Sequence, residues 1–106
     1  MKIVLDTNIF VSALFWNGNE RKVLNKCKAK EIELIISPDI LNEIDQLLEF
    51  KFSVPEDRRG DFLRNIILVS KFVFPTKRIN AIQSDLPDNR ILECAIDGGA
   101  DFIISG

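Results

Sequence analysis

The chain has 106 residues, 46% of them hydrophobic and 28% charged, with a net charge of -2. That is the length of one domain, with enough apolar material for a core and enough charge for solubility. It contains no histidine and no tyrosine, which excludes Ser-His-Asp and Cys-His nucleophile systems and any His-based zinc site.

The two cysteines, Cys27 and Cys94, fit no metal-ligand spacing and fall in helical patterns, where a buried thiol acts as a small hydrophobe. No stretch approaches the roughly 18 apolar residues of a membrane span. The first segment meets Asp6 too early for a signal peptide, so cytoplasmic residence is the expectation.

In chain order, Ile3–Leu5 reads as a strand buried on both faces, because it is a short β-branched and aliphatic run. A helix over Asn8–Phe15 follows at once and stops at Gly18. Glu20–Lys30 is helical, with Val23, Leu24 and Cys27 on one face and lysines on the other. Ile32–Ile36 is a second strand. Ser37 is an N-cap and Pro38 suits the first helical position. That helix carries the stripe Ile40, Leu41, Ile44, Leu47 and Leu48.

Glu56–Val69 is a further helix, with Gly60 blurring its start. "KFVFP" reads as a short strand ended by Pro75, and Thr76–Leu86 as mostly loop. "PDNRILECAIDGG" is a helix entered at Pro87 and left at Gly98-Gly99. "DFIISG" is the last buried strand. Strands alternating with helices predict an α/β domain with a mainly parallel sheet.

In such a sheet, sites form beyond the C-terminal strand ends. Asp6 belongs to that edge, and so does the helix bearing Glu43. Asp88 opens the helix leading into the last strand. Each acid also has a plain structural role: an Asx-turn for Asp6, a dipole partner for Asp88, a helix-surface acid for Glu43. Glu43 and Asp45 border the apolar stripe on opposite sides, so helical geometry does not choose between them. The basic clusters Arg21-Lys22, Lys26-Lys28-Lys30, Arg58-Arg59 and Lys77-Arg78 read as solvated faces.

Three blocks, "IVLDTNIFVSAL", "LIISPDILNEI" and "DLPDNRILECAIDGGADFIISG", resemble the PIN-domain family in order and spacing. The nearest likeness is to the toxin components of toxin–antitoxin pairs, similar to VapC. The resemblance implies a three-layer α/β/α fold and a metal-dependent ribonuclease cutting single-stranded RNA. It assigns Asp6, Glu43 and Asp88 as catalytic, metal-holding acids, supported by Thr7, Asn8 and Ser105. It also implies Mg²⁺ or Mn²⁺, which oxygen-only ligands favour, with RNA and a small antitoxin as partners; an unpaired last strand would add a second copy of the chain, and the lack of a long apolar run predicts no membrane.

The family pattern continues "SGD". The resemblance therefore implies a fourth acid, a last strand and a helix beyond Gly106. The expectation is a single PIN-like domain over residues 1–106, C-terminally incomplete and weak or inactive in cleavage. The alternative is an inactive PIN module that only binds RNA or partners. Two other α/β classes are disfavoured. A dehalogenase-like phosphatase needs an acid where Asn8 stands, and a receiver domain needs paired acids after the first strand.

Overall fold

The computed structural model describes residues 1–76, 78 and 86–105, with the side chains of 86–88 outside that description. The elements run β1 (Lys2–Leu5), α1 (Thr7–Phe15), α2 (Asn19–Lys28), β2 (Glu33–Ile36), α3 (Pro38–Phe50), α4 (Glu56–Val69), β3 (Ser70–Phe72), α5 (Leu86–Gly98) and β4 (Phe102–Ile104). The strands form one parallel sheet in the order β3-β2-β1-β4. The helices complete a three-layer α/β/α fold.

The connections β1→β2 and β2→β3 step the same way across the sheet, whereas β3→β4 crosses back over two strands. Right-handed crossovers put α1 to α4 on one face and α5 on the other. β1 and β2 are therefore covered on both sides. Ile3, Val4, Leu5, Leu34, Ile35 and Ile36 are essentially inaccessible, as their unbroken apolar runs require.

The local signals act as expected. Ser37 caps α3 by accepting from the Ile40 N–H, with Pro38 at the helix entrance. Gly99, at φ +62°, lies just past α5, and the Ala100 N–H donates to the Ala95 carbonyl. This is a left-handed helix stop that glycine adopts without a Cβ penalty.

Two expectations need correction. β3 spans Ser70–Phe72 and is only partly buried, because it forms one edge of the sheet. β4 is not buried on both faces: Phe102 is 59% and Ile103 43% exposed. Among the described residues it is the other edge strand and pairs with β1 alone. Most of the expected Thr76–Leu86 loop, and Gly106 at the end of "DFIISG", lie outside the described residues.

Candidate active site

Asp6 ends β1 and opens α1 in one step. It is the N-cap of α1, with extended backbone, and its Oδ1 accepts from the Asn8 N–H at 3.4 Å. Its own N–H donates to the Ile104 carbonyl at 2.9 Å. That bond locks the C-terminal ends of β1 and β4 together. Connections leave β1 toward β2 on one side and return to β4 on the other, so the strand order reverses between β1 and β4. In open α/β sheets the ligand crevice forms at such a switch point. Asp6 and Ser105, the residue after β4, stand on its two sides.

α5 runs against the strands. It ends near the N-terminal edge, where the Asp101 N–H donates to the Lys2 carbonyl and the Lys2 N–H donates to the Asp101 carboxylate at 2.8 Å. Its first turn, which includes Asp88, is therefore at the same sheet edge as Asp6. Asp101 is at the opposite one. The Asp88 side chain lies outside the described residues. Glu43 is half-buried in the second turn of α3, and α3 leaves from that same edge after β2. Asp45 on α3 is committed elsewhere: its Oδ1 accepts from Arg59 Nε at 3.0 Å. Among the described residues, no three acids or cysteines are close enough together to hold a metal ion.

The supporting residues differ in what they do. Asn8 is exposed, and it is its backbone N–H that meets Asp6. Thr7 is buried, and its hydroxyl has no hydrogen-bond partner among the described residues. Ser105 is exposed.

α5 carries a buried polar row that its apolar periodicity does not announce. Asn89 is fully buried and Glu93 is 2% exposed. They are four apart, so they share a helix face. One carboxylate oxygen of Glu93 pairs with Arg90 at 3.0 Å and the other with Arg78 at 3.3 Å. The Arg78 nitrogen also meets Asp39 Oδ2 at 3.0 Å. The available signal was an acid inside the apolar run Ile91-Leu92-Glu93-Cys94-Ala95. The cysteines are free and buried, and burial pushes the thiols of Cys27 and Cys94 up to about 11.

The PIN domain family profile matches residues 2–106. The chain belongs to the PIN-domain family. It is 34% identical over 115 aligned positions to the uncharacterized protein MJ1680 of Methanocaldococcus jannaschii, an alignment that covers all of this chain and 70% of that protein. No solved structure matches at a significant level. PIN domains are generally metal-dependent nucleases, and that class of chemistry is what membership brings. No described helix is long and apolar enough to cross a membrane.

Proposed function

We propose that this PIN domain is a divalent-metal-dependent endoribonuclease acting on single-stranded RNA, with Asp6, Glu43 and Asp88 holding the ion. The observation that carries this reading is the position of Asp6 at the switch point between β1 and β4. It is reached by a buried strand, pinned by the Ile104 carbonyl, and has a helix bearing another acid on either side. The donors are hard oxygens, which suit Mg²⁺ or Mn²⁺. When bound, such an ion supplies charge against the phosphodiester and a more acidic water.

The chain's own residues do the rest. The N-cap bond and the strand hold the Asp6 carboxylate at one place. Glu43, half-buried on α3, is the donor this reading draws from the helical layer of α1 to α4. α5, with Asp88 in its first turn, comes from the opposite helical layer. With no histidine in the chain, proton transfer falls to carboxylates and water. The toxin reading extends this proposal: the acidic crevice suits a small partner that inserts an arginine, which bonds carboxylates in pairs. Co-purification with the neighbouring gene product tests that extension.

The enzymatic reading is tested with a fluorescent single-stranded RNA in Mn²⁺, with and without a chelator. Weak cleavage by the wild type is expected, lost on chelation and lost in Asp6→Asn, since even loss of a group supporting a metal ligand costs about 10–100-fold. Wild-type protein that binds RNA but never cuts it would replace the enzyme with a binding module.

A further inference from the structure

We propose that Arg78 is the residue that grips an RNA phosphate beside the acidic crevice; this rests on the ribonuclease reading above. Arg78 belongs to a basic pair that looks like a solvated patch in the sequence. In the fold it joins two site-bearing helices. Its Nη1 meets Asp39 at 3.0 Å and Glu93 at 3.3 Å. Asp39 is four residues before Glu43, on the same face of α3. Glu93 is on α5, the helix that opens with Asp88. The guanidinium therefore lies next to the elements that carry two of the proposed metal-holding acids.

An exposed ion pair alone would mean little, since water and salt screen it. This one differs in three ways. Its Glu93 partner is almost wholly buried, with its side chain 1% exposed. Both acids are met by a single nitrogen. Arg78 itself stays 58% exposed, and among the described residues its Nε and Nη2 have no partner. A guanidinium offers five N–H donors in a planar fork, and its remaining edge matches a phosphate bidentately.

The two acids hold the plane before RNA arrives, so less freedom is lost on binding. They also offset part of its charge. Its contribution is thus one of register, placing the strand against the crevice, more than long-range attraction.

The test measures anisotropy of a labelled single-stranded RNA bound to the full chain in chelator, over a series of NaCl concentrations. Wild type, Arg78→Gln and Arg78→Lys are compared, with Mn²⁺ affinity measured for each. One lost phosphate contact should reduce the slope of log affinity against log salt by about 0.7. Arg78→Gln should show that reduction, bind RNA several-fold more weakly and raise KM more than it lowers kcat. Arg78→Lys should keep the slope, as a point charge, but lose part of the affinity.

Arg78→Gln with wild-type RNA affinity and slope overturns the proposal. So does a loss of Mn²⁺ affinity with no change in slope, which marks Arg78 as a tie between helices only. If Arg78→Gln does not fold, Arg78→Lys decides, and wild-type affinity in that variant overturns it. A wild type that cuts RNA while these variants behave normally sinks this inference alone. A wild type that neither binds nor cuts RNA sinks the ribonuclease reading with it.

Discussion

Glu93 brings a carboxylate to a place where its side chain is 1% exposed, and it is tolerated because both oxygens have arginine partners. Taking one partner from a buried ion pair costs far more than the intact pair contributes. Glu93→Gln keeps the shape but removes the charge facing Arg78 and Arg90. It should cost about 3 kcal/mol, read as a clear fall in the urea midpoint; an unchanged midpoint would show that the arginines relax without it. The thiols give a second residue-scale prediction. An unfolded thiol ionises near 9, while Cys27 and Cys94 hold their protons up to about 11. Between those values the folded chain binds more protons than the unfolded chain, so stability falls as pH rises. The full contribution is present below about pH 9 and is lost by about pH 11, up to roughly 3 kcal/mol per thiol. Chemical denaturation from pH 8 to 11 should show the decline, and Cys27→Ala should flatten part of it.

At the element scale, two helical glycines have opposite meanings. Gly60, inside α4, has open space where a Cβ would go, so Gly60→Ala should stabilise by about 0.5–1 kcal/mol through helix propensity. A Cβ on Gly98 would come within 2.5 Å of Ile35 Cγ2. Gly98 lets α5 close on the sheet, and Gly98→Ala should destabilise by about 1–3 kcal/mol, as overpacking does. Thermal melts of the two variants should move in opposite directions. The sequence announces Gly98-Gly99 as a helix exit but not the close approach to β2, since Ile35 is remote in the chain. The same gap separates the basic clusters from their roles. Arg21 donates from Nε to the Ala13 carbonyl and from Nη2 to the Leu14 carbonyl, each at 2.8 Å, which satisfies the open end of α1. Arg59 donates to the Val54 carbonyl at 2.7 Å while pairing with Asp45. The helices themselves were legible because their caps and apolar stripes are local. Where an arginine reaches depends on tertiary neighbours, so solvated faces were the only reading available from the sequence.

Strand order belongs to the whole molecule, and it is what turns Asp6 from a cap into a candidate ligand. Periodicity predicts parallel strands joined by helices, but it does not say that β4 returns to the far side of β1. Without that, "LDTN" is an Asx-turn. The same topology leaves β4 as an edge. Its pairing to β1 satisfies one side, and no described residue pairs with the other. Beside it, Ala95, Ile96, Gly99, Phe102 and Ile103 line an open groove of about 520 Å³. Ile96 is 64% exposed and Phe102 59%, more apolar surface than a short edge strand conceals. Natural edges are blunted by charge, proline or a covering element, and "FII" has no charge or proline of its own. The 106-residue chain should therefore associate with itself through β4. Sedimentation equilibrium over a hundredfold range of concentration should show a shift above the monomer mass. Ile103→Lys, which puts a charge on the edge strand, should move that shift to higher concentration. A chain that stays monomeric throughout the range would mean that this edge does not pair with a second copy.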